Sequence, residues 1–324
     1  MSTPSLAALP IIDAHQHFWD LRTNDHPWLR SPKRIPFRYG DYSAICRDYL
    51  PHDYRADTAR YRVVGTVHME AEIAHGDAVA ETRWLEQLTA REGLPWACVA
   101  QTRLDAPDAV QILAQQASHA IVRGIRHKPT AAAAPGQVRP AMKGAMDDPA
   151  WRQGYAALHG HRMSFDLQAP WWHAAQAAAL AADFPDTPLI INHSFLPTDR
   201  SQQGLADWRD ALRTVAEQPN VALKISGLGL ADRPWRATEN IPLIRDAIAI
   251  MGWERCMFAS NFPVDGLVAT FDQVAGAFLD AIADRPLCQV QALLHDNAVR
   301  IYRLDPQQAT ATRAQTPHVS GRET

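Results

Sequence analysis

The chain has 324 residues, 47% of them hydrophobic and 21% charged, with a formal net charge of -3. That composition supports a large buried core without disulfides, and the mixed charges offer no basic stripe for phosphates or for an acidic membrane surface, which excludes nucleic-acid and membrane partners. Cys46, Cys98, Cys256 and Cys288 lie far apart with no C-x-x-C pair, and no leader-like start or apolar stretch of about 20 residues is present, so a cytoplasmic location with free thiols is expected.

Along the chain, short apolar runs rich in β-branched residues alternate with longer Ala/Leu/Glu/Arg-rich stretches. The runs predict strands at 11–17, 63–70, 96–102, 121–126, 163–167, 189–193, 221–225 and 256–260. The longer stretches predict helices at 76–92, 105–119, 172–182, 205–217, 241–251 and 271–283, with a terminal helix over 286–302. Eight strands in such alternation predict an α/β fold, a (β/α)8 TIM barrel, as one domain over 1–304, followed by a disordered tail at 305–324. The segment 20–60 is aromatic and interrupted by prolines (His26-Pro27-Trp28, Ile35-Pro36-Phe37, Leu50-Pro51-His52), so it reads as an ordered insertion after the first strand, lying over the barrel mouth. A second long loop is expected at 130–148.

The chemistry concentrates at predicted strand ends. In Ile12-Asp13-Ala14-His15-Gln16-His17, two-residue spacing puts both imidazoles on one strand face, where they can clamp a metal or a polarised carbonyl. His193 closes the sixth run after Pro188-Leu-Ile-Ile-Asn, bringing a third imidazole to the same rim. Arg126 ends the fourth run with a planar fork suited to a carboxylate or diol, and Lys224 lies inside the apolar seventh run, where it must contact ligand or pair with a buried acid such as Asp166 or Asp13. Trp19, Trp28, Phe37 and Tyr39, and likewise Trp171 and Trp172, either staple their loops to the barrel or stack on a sugar ring.

The start Ile-Asp-Ala-His-Gln-His-Phe-Trp, the Asn192-His193 pair, Leu223-Lys-Ile-Ser-Gly-Leu228 and Ser260-Asn-Phe-Pro263 together resemble the lactonase group of the amidohydrolase superfamily, over about residues 11–302. That group includes fuconolactonases, rhamnonolactonases and 2-pyrone-4,6-dicarboxylate lactonase. The resemblance implies a hydrolase that opens a lactone of a sugar acid or a muconate-like intermediate, with His15, His17, Arg126 and His193 at matching positions.

One position departs from the pattern: Asn261 stands where the group carries the aspartate that activates water, and an amide cannot take a proton at neutral pH. Either Asp265, Glu70, Glu72 or a histidine supplies the base, or Asn261 only orients water beside a metal-bound hydroxide, or the site is inactive. His15 and His17 with a carboxylate such as Glu70 could hold one zinc or manganese ion. A binuclear centre is not expected, because Ser164-Phe-Asp-Leu-Gln168 stands where it would need a fifth-strand histidine. The expectation is therefore no cofactor or one divalent ion, a small-molecule lactone as ligand, and a homo-oligomer allowed. The competing readings are a metal-dependent non-oxidative decarboxylase and a non-catalytic barrel that binds a small acid or sugar.

Overall fold

The computed structural model describes residues 6–74, 76–231 and 233–305; the tail expected at 305–324 lies, apart from Asp305, outside them. Eight parallel strands follow one another around a barrel in sequence order: β1 (Ile11–Gln16), β2 (Val63–Met69), β3 (Ala97–Gln101), β4 (Val122–Arg126), β5 (Ser164–Leu167), β6 (Leu189–Ile191), β7 (Val221–Ile225) and β8 (Cys256–Phe258). Strands covered on both faces must be apolar nearly throughout, and β1, β5, β6, β7 and β8 are buried at every position. The seam between β1 and β8 is made just beyond the end of β8, where the Asn261 N–H donates to the His15 carbonyl (2.7 Å) and the His17 N–H to the Phe262 carbonyl (2.8 Å).

The helices after β2 to β8 are Ala80–Glu92, Ala109–Ala117, Pro149–Gly160, Ala174–Asp183, Gln202–Ala216, Ala237–Met251 and Phe271–Ile282. Six coincide with expected helices. Pro149–Gly160 was not anticipated, although its start is well marked: Asp148 accepts from the Ala150 N–H (3.0 Å) and Pro149 occupies the first turn. The terminal segment is helical as expected but contains one π-helical turn at Ala292–Asp296. Asn297 in this segment donates to the Trp253 and Cys256 carbonyls (2.7 and 2.8 Å), fastening the helix to the start of β8.

Two further features bear on the site. The segment 20–60 is pinned beyond the second strand by the Trp28 indole, which donates to the Ala71 carbonyl (2.9 Å), and is braced internally by the Tyr42 hydroxyl, which donates to the Trp28 carbonyl (3.0 Å). Inside the barrel, Lys224 forms an ion pair with Asp166 (2.7 Å), both fully buried, and Asn192 and Tyr302 donate to the same carboxylate. Lys224 therefore has the interior partner its sequence position requires and does not line the cavity described next. Among the described residues, no helix is long and apolar enough to cross a membrane.

Candidate active site

At the C-terminal mouth of the barrel the three predicted histidines meet. The His15 ring lies 5.2 Å from that of His17 and 4.6 Å from that of His193, centroid to centroid, and all three are buried. His193 opens a run of four residues in the left-handed region, with φ of +55°, +52°, +61° and +56° at His193, Ser194, Phe195 and Leu196. Left-handed geometry costs a residue with a Cβ about 1–2 kcal/mol, so the turn must be held from outside. The Trp208 indole donates to the Ser194 carbonyl (2.8 Å), the Ser194 hydroxyl to the Ser226 carbonyl (3.1 Å), and the Ser226 hydroxyl lies 3.0 Å from His193 Nδ1.

His17 and Asn261 form the most informative contact. His17 Nδ1 donates to the Met69 carbonyl (2.8 Å), which leaves Nε2 of the neutral ring as a lone-pair acceptor. Asn261 Nδ2 donates to Asp265 Oδ1 (2.6 Å), which turns the amide oxygen toward His17 Nε2 at 3.3 Å. Asp265 also accepts from the Tyr39 hydroxyl (2.9 Å) and the Gly227 N–H (3.0 Å). Burial raises its pKa from the usual carboxylate value, while the three donors favour the ionised form and hold it in place. Two acceptors thus face each other, with no donor between them among the described residues.

Burial keeps all three imidazoles far below the usual histidine pKa; the Lys224 charge adds to this at His15, the Arg126 charge at His17 and the Arg38 charge at His193. At neutral pH they are uncharged bases and acceptors. Among the described residues neither ring nitrogen of His15 has a hydrogen-bond partner.

The cavity above these residues measures about 240 Å3. His17, His193 and Asn261 line it below, Trp28, Ile35, Pro36 and Phe37 of the insertion line it above, and Arg38, Arg126 and Lys128 put cations into its wall. Trp28 and Phe37 stack with an interplanar angle of 13°. Trp19 and Tyr39 are fastened instead to Arg47 and Asp265, and neither Trp171 nor Trp172 reaches the cavity wall. Arg126 Nε donates to Glu70 Oε1 (2.5 Å), and Nη1 reaches Gln168 Oε1 (3.2 Å). Lys128 forms an ion pair with Glu72. Of the carboxylates considered as bases, Glu70 is engaged by Arg126, Glu72 by Lys128 and Asp265 by Asn261 and Tyr39, so each holds a neighbour rather than facing the cavity unengaged.

Among the described residues no group of three His, Cys, Asp or Glu side chains is disposed to hold a metal. His15 and His17 are the neutral imidazoles an ion would have to use, and the Lys224 and Arg126 charges that act on them oppose an added positive charge.

Sequence reasoning passed over Arg38 and Lys128, and marked Gln168 only as standing in the place of a fifth-strand histidine. Lys128 stands two residues beyond Arg126, the same spacing that marked His15 and His17, and could have been found that way. Arg38 carried no such signal, because its place depends on how the insertion folds back over the mouth.

The amidohydrolase family profile matches residues 12–304. The chain is 36% identical over 299 residues to the uncharacterized protein y4mH of Sinorhizobium fredii, covering 92% of this chain and all of that one. It is 28% identical to an L-fucono-1,5-lactonase of Burkholderia multivorans, covering 93% of this chain and 98% of the relative. A crystal structure of an amidohydrolase from Burkholderia multivorans with bound HEPES superimposes with a TM-score of 0.75 at 27% identity, covering 91% of this chain and 99% of that one; a second crystal structure, with bound zinc, gives 0.74.

Proposed function

Because the chain belongs to the amidohydrolase family, we propose that it is a lactone hydrolase acting on a sugar-acid or muconate-like lactone by attack of an activated water. The observation that carries the reading is the facing pair of acceptors, His17 Nε2 and Asn261 Oδ1, 3.3 Å apart. A water donating one hydrogen to each has its own lone pair left for the substrate. The departure from aspartate then changes the division of labour: Asn261 orients the water and His17 takes its proton, with His193 across the cavity floor as the second neutral imidazole.

As the water oxygen bonds to the lactone carbonyl carbon, negative charge develops on the carbonyl oxygen, which Arg126 and Lys128 are placed to stabilise. Collapse breaks the bond to the ring oxygen, and the proton carried by the imidazole passes to that leaving oxygen. The new carboxylic acid gives its remaining proton to solvent, and the resulting carboxylate is stabilised by the same cations. No step is routed through a metal.

The test is a pH-indicator assay of purified protein against sugar-acid lactones and muconolactones, with and without chelator. Acid release that survives chelation is expected. Silence across the panel would remove the lactonase reading, and activity abolished by chelator and restored by a divalent ion would overturn the metal-free division of labour.

A further inference from the structure

Three cations line the cavity wall, and they differ in what neutralises them. Arg126 is in contact with Glu70, and Lys128 with Glu72. Arg38 forms no ion pair among the described residues. Its Nη2 donates to the Gly227 carbonyl at 2.6 Å, its guanidinium lies 4.6 Å from the centre of the Tyr39 ring, and its Nη1 is buried with no hydrogen-bond partner among the described residues. Asp265 acts on it through space, but that carboxylate already accepts from Asn261, Tyr39 and Gly227.

The guanidinium is therefore held in place by its backbone contact and its aromatic neighbour while one edge stays unsatisfied. Its surroundings leave room for this: Gly227 has φ of +65°, and a Cβ there would fall 2.6 Å from His193 Cβ and 3.0 Å from Arg38 Nη1. A glycine at this point lets the arginine reach the floor of the cavity beside His193.

A neutral lactone carbonyl needs a donor but not a counter-charge, and Arg126 and Lys128, each already ion-paired, can serve it. An arginine with no anion in contact and a buried, unused N–H is matched by a planar anion, which restores both the charge balance and the missing hydrogen bond. We propose that Arg38, contributed by the insertion, is the specificity-determining residue for a substrate carrying a carboxylate in addition to its lactone ring. For the reaction this rests on the lactonase reading; for binding it does not.

The test compares matched pairs of lactones, aldonolactones ending in a hydroxymethyl group and aldarolactones ending in a carboxylate, across several sugar configurations, with muconolactone added. The readout is the ratio of kcat/KM for the carboxylated member to that for the neutral one. The wild-type ratio is expected to favour the carboxylated lactone at least tenfold. In Arg38→Met it should fall by about tenfold to a hundredfold, the usual range for losing a charge-assisted hydrogen bond, mainly through KM, with Arg38→Lys recovering part of it. A wild-type ratio near one, or a ratio unchanged in Arg38→Met, overturns the assignment while leaving the lactonase reading intact. If no lactone is opened, that reading fails, and calorimetric titration with glucarate and gluconate decides the assignment. Glucarate bound more tightly than gluconate, with the preference lost in Arg38→Met, supports it; no preference, no binding, or a preference that survives the substitution overturns it.

Discussion

The side-chain amide of Asn261 donates to the Asp265 carboxylate at 2.6 Å, and that hydrogen bond determines that its oxygen, not its nitrogen, faces His17. Replacing Asp265 by asparagine removes the reason for this orientation, because an amide can donate as well as accept. Asn261 is then free to turn its nitrogen toward His17 Nε2 and occupy the acceptor that should hold water. Asp265→Asn is expected to lower kcat about a hundredfold, a typical cost of misplacing a reacting group, with KM changed far less. Steady-state kinetics on any accepted lactone checks this, and an unchanged kcat would show that the amide's orientation does not matter.

His193 combines two properties that substitution can separate. Its ring faces the cavity, and its backbone sits at φ of +55°. Both His193→Ala and His193→Gly should lose turnover by orders of magnitude. The glycine variant should nevertheless unfold at higher denaturant than the alanine variant, by about 1 kcal/mol, since only alanine retains the left-handed strain. Equal stability of the two would mean that the turn is not strained, and near-normal turnover in either would remove His193 from the mechanism.

The buried imidazoles fix the sign of the pH dependence. Because the folded pKa values of His15, His17 and His193 lie well below 6.5, activity should continue undiminished through the ordinary histidine range and fall only at more acid pH. For stability, as pH drops below 6.5 the unfolded chain takes up protons that the folded chain refuses, so stability is lost on acidification. His68, lowered to about 3, adds to that loss, while Glu81, raised to about 7, opposes it between about pH 7 and 4.5. Burial raises Asp13 and Asp265 as well, which opposes the loss in the same way, but the four histidines outnumber the three carboxyls, so Tm should fall from pH 7 to pH 5. A rising Tm over that interval would contradict the assignment.

Glu70 and Arg126 form a buried pair at 2.5 Å, with side chains only 3% and 4% exposed. Glu70→Ala leaves the guanidinium buried without its counter-ion, a change that typically costs about 3–5 kcal/mol. Glu70→Gln keeps a hydrogen-bond acceptor and should cost less. Chemical denaturation of the two variants measures the difference; equal, small losses would show that the pair contributes little to stability.

Much of the fold was readable from hydrophobic pattern, and the exceptions have local causes. The eight β-branched runs found every strand, but the sixth ends at Ile191 rather than at residue 193, because the backbone turns left-handed at His193, a property no apolar count reports. The helix at Pro149–Gly160 was hidden by the long Ala- and Pro-containing loop before it, although Asp148-Pro149 marks its start. At the site, the histidine triplet followed from spacing along strands. What could not be read was pairing across the chain: Glu70 holds an arginine 56 residues away, and Arg38 reaches a carbonyl 189 residues away. Lys224 was an intermediate case, since a charge in an apolar strand demands an acid, and Asp166 was one of the two acids its position suggested.

The seam of the barrel runs through the backbone at the floor of the cavity, with the His15 carbonyl and the His17 N–H joined to Asn261 and Phe262. The facing pair of acceptors therefore does not exist in either half of the protein alone: His17 follows the first strand, and His193 and Asn261 follow the sixth and the eighth. If the chain is cut at the exposed Gly136, each fragment should be silent, and turnover should return only when the two are co-expressed and the first and last strands zip together. Catalysis would then report the final event of assembly, the closing of the ring.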